Sequence, residues 1–510
     1  MTGMSFRTRI IKAGSLEIGG TLPVRIQSMT NTDTLDTASS VSQCIRIIEA
    51  GGELVRLTAQ GAREAENLAN IRRELRRAGF DTPLCADIHF NPAAAEIAAR
   101  IVEKVRINPG NYADKRASFI KHDLSESDYA AEIERIRDRL LPLISICRNY
   151  GTAVRIGVNH GSLSDRIMTR YGNTAEGMAV SAIEFLRIFR GEGYDNIVVS
   201  MKSSDTRVMV ESNRILVRLM SEEGMDYPIH LGITEAGEGA DGRIISAAGI
   251  GTLLAEGIGD TVRVSLSEAP EREIPVAREI VRFICGTEGR VTAPSPAVRK
   301  ATGGGRYFPG VITDNDGVFT DERGERYAGD IFTFRADELH YLEESEVTGK
   351  VLNPVFNEDD NERLCIDAAA LLGRFFIARR PAGLVISNRG AVQGEALRTL
   401  AFAILQATEA RITRTRYISC PTCGRTRFNL EEAVRKVKAA TSHLTGMKIA
   451  VMGCVVNGPG EMAGSDYGYV GAAEGKVHIY RGTEAVMKNI PEAEALTRLL
   501  ELIESDQARR

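Results

Sequence analysis

Three cysteines and one glutamate near the C-terminus have the types and spacing of a metal centre. Cys420 and Cys423 lie in ISCPTCGRTRF, and Cys454 and Glu461 lie in VMGCVVNGPGEMAG. A Cys-x-x-Cys turn presents two sulfurs to one centre, and the Asn-Gly-Pro-Gly run before Glu461 would fold the chain back towards it. Three thiolates and one oxygen ligand suit an iron-sulfur cluster in which one iron is held weakly and can take a substrate oxygen.

The same spacing also allows a zinc site, because zinc and iron-sulfur clusters both use soft thiolates. A structural zinc site usually completes itself with a fourth Cys or a His, and no Cys follows Cys454 in the sequence. His443 and His478 are the nearby rivals for the fourth position. Spacing alone therefore leaves iron-sulfur and zinc open.

The first 285 residues alternate short apolar runs with amphipathic segments of helical spacing. Eight such alternations over about 250 residues predict an α/β fold with an N-terminal TIM (β/α)8 barrel, whose active site lies at the carboxyl ends of its strands. The predicted strands end in polar residues at 27–29, 55–57, 86–89, 105–108, 155–159, 199–202, 231–235 and 262–265. We expect these polar residues to converge.

Cations recur at equivalent places in five of these strand ends. A single such cation is more often a solvated or paired surface charge, but several that converge must be neutralised by an anionic ligand or by carboxylates. Guanidinium groups suit a diphosphate because they donate two parallel hydrogen bonds. The cations are Arg56, Arg106, Arg155, Lys202 and Arg263, and the neutral donors that join them are Asn108, Asn111, Asn159, Ser162, Ser200 and Ser265.

Two acidic residues and two histidines also fall at predicted strand ends. Asp87 would face the ligand, although pairing with an arginine is an equal alternative for it. Glu235 is the better candidate for proton transfer, because its loop continues through Gly237 and Gly239. His89 is taken as a candidate substrate contact, but for both His89 and His230 a hydrogen-bonded barrel histidine is as plausible as a ligand.

Composition excludes several function classes. With 64 Lys plus Arg against 68 Asp plus Glu, the chain gives no support for a nucleic-acid or membrane-binding surface. The N-terminus lacks the apolar core of a signal peptide, and no run of about 18 apolar residues predicts a membrane span, so we expect a cytoplasmic protein. Five further cysteines are scattered singly and are predicted to be small buried apolar residues: Cys44, Cys85, Cys147, Cys285 and Cys365.

The alternation breaks after Cys285. The segment 286–305 has two prolines and a triple glycine and is typical of a linker. Hairpin-like and α/β segments follow as far as about residue 410, without a cluster of catalytic residues. We therefore predict a barrel over 1–286, an insertion that acts as a spacer over 287–409, and a metal-binding α+β domain over 410–510.

The cysteine segments resemble those of the 4-hydroxy-3-methylbut-2-enyl diphosphate synthases, reductive enzymes of the non-mevalonate isoprenoid pathway. In that family an SCPxCGRxxF segment and a GCxVNGPGE segment hold a [4Fe-4S] cluster, which implies that role for Cys420, Cys423, Cys454 and Glu461. The resemblance extends to QSMTNT, ADIHF, RINPGN, RIGVN, GITEAG and RVSL in the predicted barrel. It is closer to the three-domain form found in plants and some bacteria, although the insertion here is shorter than the plant one.

The resemblance implies that the barrel binds 2-C-methyl-D-erythritol 2,4-cyclodiphosphate and that flavodoxin or ferredoxin supplies electrons. We expect the cluster domain to cap the barrel mouth, within one chain or across a homodimer. Two other classes of protein remain open. A phosphate-binding barrel lyase or aldolase with a structural zinc tail would keep the anion site, and a binding module would need neither centre.

Overall fold

The computed structural model describes residues 6–508, except 89–90, 114–124, 292–296, 298–306, 316, 338–341, 343, 421–427, 456–461 and 463. His89, Cys423 and Glu461, and most of the predicted linker, therefore lie outside the described residues. Among the helices that the described residues form, none is long and apolar enough to cross a membrane.

A hairpin precedes the barrel and packs against its amino-terminal end. Its strands are β1 (Ile10–Ala13) and β2 (Leu16–Gly19), which pair antiparallel. Ile11, Ala13 and Ile18 are buried in one cluster with residues from the first halves of four barrel strands. The hairpin therefore closes the end of the barrel opposite the predicted site.

Eight parallel strands form the predicted barrel, in the order β8-β7-β6-β5-β4-β3-β10-β9. A parallel bridge between Val199 and Ile229 joins the two ends of this path. The strands are β3 (Arg25–Met29), β4 (Leu54–Ala59), β5 (Leu84–Ile88), β6 (Lys104–Ile107), β7 (Ala153–Asn159), β8 (Ile197–Lys202), β9 (His230–Leu231) and β10 (Thr261–Val262). The TIM-barrel prediction is confirmed, with two differences in detail.

The first difference is that β4 continues to Ala59, so Arg56 lies inside a strand instead of at its end. The second is that β9 and β10 are only two residues long. Glu235, Arg263 and Ser265 consequently lie in the loops after these strands. The backbone hydrogen bonds between neighbouring strands define where a strand ends. The pattern of apolar and polar residues does not show where these bonds stop.

The barrel helices form because apolar residues recur at helical spacing and polar side chains cap the first turns. Ser125 and Asp128 form a capping box, and Asp205 accepts hydrogen bonds from two backbone amides. The helices are α1 (Thr37–Glu49), α2 (Ala62–Arg77), α3 (Pro92–Ala98), α4 (Pro109–Tyr112), α5 (Glu126–Tyr150), α6 (Asp165–Tyr171), α7 (Ala175–Gly191), α8 (Thr206–Glu222), α9 (Gly239–Ala255) and α10 (Glu273–Cys285).

The insertion is a small α/β unit. Its main sheet has the parallel order β11-β16-β15-β14, with β17 also paired to β15, and β12 and β13 form a separate hairpin. Its elements are β11 (Gly310–Val311), β12 (Thr313–Asn315), β13 (Val318–Thr320), β14 (Ile331–Arg335), α11 (Glu344–Val347), β15 (Val351–Phe356), α12 (Asn361–Ile377), β16 (Gly383–Leu384), β17 (Ser387–Asn388) and α13 (Glu395–Ala407).

Helix α12 is apolar on nearly all sides because it packs between the insertion and barrel helix α9. Small residues let these two helices approach closely. A Cβ atom at Gly373 would lie 2.3 Å from the Ala248 carbonyl oxygen, and one at Gly251 would lie 2.7 Å from Cα of Ala370. The insertion is therefore attached to the barrel by a close helix–helix contact.

The C-terminal domain is a mixed five-stranded sheet in the order β18-β19-β20-β21-β22, with the first three strands parallel. Its strands are β18 (Arg416–Ser419), β19 (Lys448–Met452), β20 (Tyr467–Ala473), β21 (Lys476–Arg481) and β22 (Glu484–Pro491), and its helices are α14 (Leu430–Thr441) and α15 (Glu492–Gln507). Leu430, Val434, Leu499 and Ile503 are buried against this sheet. The α+β prediction for this domain is confirmed.

We expect Gly373→Val to destabilise the protein, because the added side chain would overlap the Ala248 carbonyl. Overpacking of this kind costs about 1 to 3 kcal/mol. Gly191→Val is the matched control, since a Cβ at this helical glycine meets no atom within 4 Å. Urea unfolding of both variants measures the difference, and equal unfolding free energies would contradict the close contact.

Candidate active site

The five predicted cations lie inside the barrel and face one another. Their exposed fractions are 9 % for Arg56, 4 % for Arg106, 1 % for Arg155, 4 % for Lys202 and 5 % for Arg263. Burial, followed by the charges of Arg56, Arg155, Arg263 and Arg106, holds the pKa of Lys202 well below its ordinary value. Burial likewise lowers the pKa of Arg56 to about 10, with Arg263 and Arg106 contributing.

Two carboxylates partly balance these charges among the described residues. Asp87 accepts a hydrogen bond from Arg106 Nη1 at 3.2 Å, and Arg155 Nη2 lies 3.9 Å from the same oxygen. Glu273 accepts two bonds from Arg263, at 3.1 and 3.0 Å. The arginine pairing considered for Asp87 is therefore present in the structure.

The guanidinium group of Arg56 donates to a sulfur atom instead of a carboxylate. Met29 Sδ accepts from Arg56 Nε at 3.0 Å and from Arg56 Nη2 at 2.8 Å. A thioether is a weak acceptor without charge, so Met29 balances none of the guanidinium charge, and the nearby carboxylate of Asp87 is what favours the charged form of Arg56. Among the described residues of the barrel interior, these five cations outnumber the carboxylates that pair with them.

Four of the predicted neutral donors make hydrogen bonds within the barrel, whereas neither Nδ2 nor Oδ1 of Asn111 has a hydrogen-bond partner among the described residues. Asn159 Oδ1 accepts from Arg106 Nη2 at 3.2 Å, and Ser200 Oγ accepts from Arg155 Nη1 at 3.0 Å. Asn108 caps α4 by accepting from the amide of Gly110, and its amide group donates to Ser162 Oγ at 3.1 Å. Ser265 is buried in the loop after β10.

His230 is a hydrogen-bonded barrel histidine. Its Nδ1 lies 3.0 Å from Gln27 Nε2, and the ring is fully buried. Burial and the nearby charges of Lys202 and Arg155 hold the pKa of His230 well below its ordinary value. The ring is therefore neutral at physiological pH.

Glu235 has an unusual backbone conformation for a side chain of its type. Its φ is +52°, in the left-handed region that non-glycine residues rarely adopt, and its exposed fraction is 9 %. Backbone strain of this kind costs about 1 to 3 kcal/mol and persists where the surrounding structure fixes it. The next residue, Ala236, forms a parallel bridge with Ser419, so Glu235 lies where the two domains meet.

The sequence analysis did not identify two ionisable residues of the barrel interior, Glu273 and Lys104. Glu273 begins α10, where an acidic first turn is common in any helix and gave no special signal. Lys104 is fully buried, and its Nζ has no hydrogen-bond partner among the described residues. Since it lies two residues before Arg106 in β6, the period of two along a strand could have placed it on the same face.

The C-terminal domain contacts the barrel of the same chain at the loops that follow β8, β9 and β10. Arg416 Nη2 donates to the Ser204 carbonyl at 2.6 Å, and Lys438 Nζ donates to Glu238 at 3.0 Å. Ser419 Oγ lies 3.4 Å from Ser267 Oγ. All these barrel residues follow carboxyl ends of strands, so the domain covers part of the predicted mouth.

Two of the predicted metal ligands lie at adjacent strand ends in this domain. Cys420 directly follows β18, and Cys454 follows the neighbouring parallel strand β19. The Gly453 amide donates to Cys420 Sγ at 3.1 Å. Both thiols are partly exposed, so the donor set fits a group that binds between them, while Cys423 and Glu461 lie outside the described residues.

The five other cysteines are buried in the structure. Burial raises the pKa of Cys44, Cys147 and Cys285 to about 12, so these thiols do not ionise at physiological pH. Only thiolates are good metal ligands. The buried positions of these five cysteines agree with the prediction that they are small buried apolar residues.

Fold and site together define a TIM-barrel protein with a buried cationic mouth and a second, cysteine-bearing domain over that mouth. Comparisons with known families match the description GcpE TIM-barrel domain at residues 8–278 and GcpE protein C-terminal domain at residues 416–505. The chain belongs to the GcpE family.

Relatives from several bacteria match nearly the whole chain. Proteins named 4-hydroxy-3-methylbut-2-en-1-yl diphosphate synthase (flavodoxin) are 44 % identical in Bacteroides thetaiotaomicron and 37 % identical in Leptospira interrogans. Both alignments cover 98 % of this chain, and they cover 98 % and 96 % of the respective relatives. The insertion is thus included in the similarity.

The buried Lys104 should destabilise the fold in a pH-dependent way. Burial lowers the pKa of Lys104 from 10.5 to about 8, so the unfolded chain binds more protons between these values. The destabilisation is fully present below pH 8 and disappears as the pH rises towards 10.5. We therefore expect Lys104→Met to raise the unfolding free energy at pH 7 by up to about 3 kcal/mol.

Urea unfolding of Lys104→Met between pH 7 and pH 10 measures this effect. The gain over the unmodified chain should shrink as the pH rises. Lys12→Met is the control, because the Lys12 side chain is 69 % exposed. A Lys104→Met variant that is less stable at pH 7 would show that the ammonium group has a partner in solution.

Proposed function

We propose that the chain catalyses reductive ring opening and dehydration of 2-C-methyl-D-erythritol 2,4-cyclodiphosphate to (E)-4-hydroxy-3-methylbut-2-enyl diphosphate. The observation that carries this proposal is the excess of buried cations beneath a domain with two thiols at adjacent strand ends. A cyclic diphosphate supplies the missing negative charge. Family membership and the names of the relatives support the same reaction.

The substrate diphosphate would bind among Arg56, Arg106, Arg155 and Lys202, with Arg263 at the edge of the set. Arg155 Nε has no hydrogen-bond partner among the described residues, so it retains a donor for an anion. Asp87 and Asn159 orient Arg106, and Glu273 orients Arg263, which keeps the guanidinium groups in place before substrate arrives. Preorganised donors of this kind act strongly because water is excluded around them.

The remaining predicted contacts complete the pocket around the carbon chain. Ser200 lies beside Arg155, and we assign Asn108, Ser265 and His89 to the same pocket from their sequence positions. Glu235 lies at the junction with the second domain, where it can donate a proton to the hydroxyl that leaves as water. Two electrons are consumed as that C–O bond and the C–O bond to the ring phosphate break. The diphosphate oxygen keeps its electron pair, the hydroxyl takes the proton and leaves as water, and the C=C bond of the product forms between the two carbons.

The residues that would hold a [4Fe-4S] cluster are Cys420, Cys423, Cys454 and Glu461. When bound, such a cluster supplies the electrons one at a time and an iron that accepts substrate oxygen. The Gly453 amide, which bonds to Cys420 Sγ, would stabilise the thiolate form. Glu461, a harder and more exchangeable ligand than thiolate, would leave the iron open to substrate.

The electron donor is proposed to be flavodoxin or ferredoxin. The relatives carry flavodoxin in their names, and no dinucleotide fingerprint of the form G-x-G-x-x-G between a strand and a helix is present in the sequence. Electrons must therefore come from a separate protein. A homodimer remains compatible with this arrangement.

The division into a barrel (1–286), an insertion (287–409) and a cluster domain (410–510) assigns a spacer role to the insertion. Arg411, just after the insertion, donates to the Pro309 carbonyl at 3.1 Å and pairs with Glu322, so the connection to the last domain is held firmly. A spacer fixed in this way can place the cluster over the mouth of its own chain.

Arg106→Leu tests the substrate site. Loss of the guanidinium group removes charged hydrogen bonds and leaves Asp87 with less compensation, so substrate binding should weaken by about 1.5 to 3 kcal/mol. Calorimetric titration with the cyclic diphosphate measures the change. Arg135→Leu is the control, because Arg135 is 61 % exposed on α5, and unchanged affinity of Arg106→Leu would count against the site.

Glu461→Ala tests the fourth ligand. The three cysteines should still hold some cluster, but most turnover should be lost and the electron paramagnetic resonance spectrum should change, since one iron loses its oxygen ligand. Glu474→Ala, an exposed glutamate of the same domain, serves as the control. Normal turnover together with an unaltered spectrum would exclude Glu461 as a ligand.

A mixing experiment tests the within-chain site. Arg106→Leu and Cys454→Ala chains are co-assembled at a substrate concentration at which each alone is inactive. We expect no recovery of activity, because the cluster domain contacts its own barrel through Arg416 and Lys438. Recovery would mean that the two domains of different chains complete the site.

A further inference from the structure

Glu409 lies at a position that disfavours a glutamate on two counts. It is the second residue after the end of α13, and its amide donates to the Gln406 carbonyl at 3.1 Å. Its φ is +53°, in the left-handed region that glycine usually occupies after a helix. A carboxylate also repels the carbonyl oxygens at the carboxyl end of a helix. Local structure therefore does not account for this residue, and exceptions of this kind mark functional positions.

The Glu409 carboxylate pairs with two cations of the C-terminal domain. Its Oε1 accepts a hydrogen bond from Lys448 Nζ at 3.0 Å and forms an ion pair with Arg416 Nη1. The Glu409 side chain is 11 % exposed and that of Arg416 is 6 % exposed, so little water is left to weaken their attraction. We call Glu409, Arg416 and Lys448 together the Glu409 clamp.

The clamp lies at the start of the two strands that lead to the cysteines. Arg416 is the first residue of β18, Lys448 is the first residue of β19, and the two are paired in register. Like charges opposite each other on neighbouring strands repel. Burial, followed by the charge of Arg416, lowers the pKa of Lys448. The shared carboxylate of Glu409 offsets this repulsion and holds the two strand starts together.

The clamp also reaches the barrel mouth. Arg416 Nη2 donates to the carbonyl of Ser204, in the loop between β8 and α8. The charge of Asp205, the next residue, acts on both Arg416 and Lys448, but the Asp205 carboxylate caps α8 by accepting two backbone amides. Glu409 therefore supplies the contact from the insertion, and Arg416 carries it to the barrel.

We infer that Glu409 is a positioning residue, which fixes the two cysteine-bearing strands above the barrel mouth from the end of the insertion. A strand advances about 3.3 Å per residue, so Cys420 lies about 13 Å along the chain from Arg416. Glu409 thus acts through the orientation of β18 and β19 and does not touch the reacting atoms. The inference rests on the proposed function and gives the insertion a role beyond that of a spacer.

Two variants of Glu409 separate its charge from its backbone conformation. Glu409→Gly removes the carboxylate and favours the left-handed backbone, so no new strain is added. Glu409→Gln keeps the size of the side chain and removes only the charge. In both we expect faster hydrogen exchange, followed by mass spectrometry of the full chain, in peptides covering 203–209 and 414–420. Exchange at 104–113, inside the barrel, should not change.

Turnover of the cyclic diphosphate is the second readout. It is measured with a soluble one-electron reductant and at equal iron content for every variant. In both Glu409 variants kcat should fall about tenfold or more, because small misplacement of reacting groups has effects of this size. The affinity for the cyclic diphosphate, measured by calorimetric titration, should stay the same because the barrel cations are intact. A change that merely disrupted the fold would lower both.

Asn489→Gly is the matched control, since it makes the same change at another left-handed residue. Asn489 has a φ of +56° and is exposed on β22, at the opposite edge of the sheet from β18. This variant should keep the exchange and the kcat of the unmodified chain, and thermal unfolding checks that every variant is folded.

Unchanged exchange in the Glu409 variants, or unchanged kcat, would overturn the inference. An unmodified chain that does not turn over the cyclic diphosphate would instead contradict the proposed function. The exchange measurement would then decide by itself whether Glu409 holds the C-terminal domain on the barrel.

Discussion

The structure depends on positive charge buried inside the barrel. Arg56, Arg106, Arg155 and Lys202 are each nine-tenths or more buried, and a charge removed from water is costly unless it is paired. Asp87 and Glu273 supply part of the compensation. We propose that the substrate diphosphate supplies the rest. Burial, followed by repulsion from the neighbouring arginines, lowers the pKa of Lys202.

Parallel strands direct the described functional groups towards the carboxyl ends of two different sheets. The barrel strands direct their polar residues to its mouth, and β18 and β19 end at Cys420 and Cys454. The bridge between Ala236 and Ser419 brings these two carboxyl ends together in one chain. In the proposed mechanism the barrel recognises the anion and the smaller domain supplies the thiols, so both domains are needed for the site.

The sequence was sufficient for the barrel and for the convergence of its cations, because both follow from short-range spacing. Spacing alone left the cysteine motifs open between iron-sulfur and zinc. The strand alternation located all eight strands. The role of Met29 beside Arg56 was not predictable, since a methionine in a strand is usually a core residue.

Long-range contacts account for the other differences. Glu273 reaches Arg263 only because α10 packs back on β3, and the attachment of α12 to α9 depends on Gly251 and Gly373 at a crossing that the sequence does not show. Such positions follow from tertiary packing and have no local signature.

The most direct test of the central claim is a crystal structure of the anaerobically prepared full chain with the cyclic diphosphate bound. The account predicts the diphosphate on Arg56, Arg106, Arg155 and Lys202, beneath a cluster held by Cys420 and Cys454 of the same chain. A diphosphate bound elsewhere, or a cluster supplied to this mouth by a second chain, would contradict it.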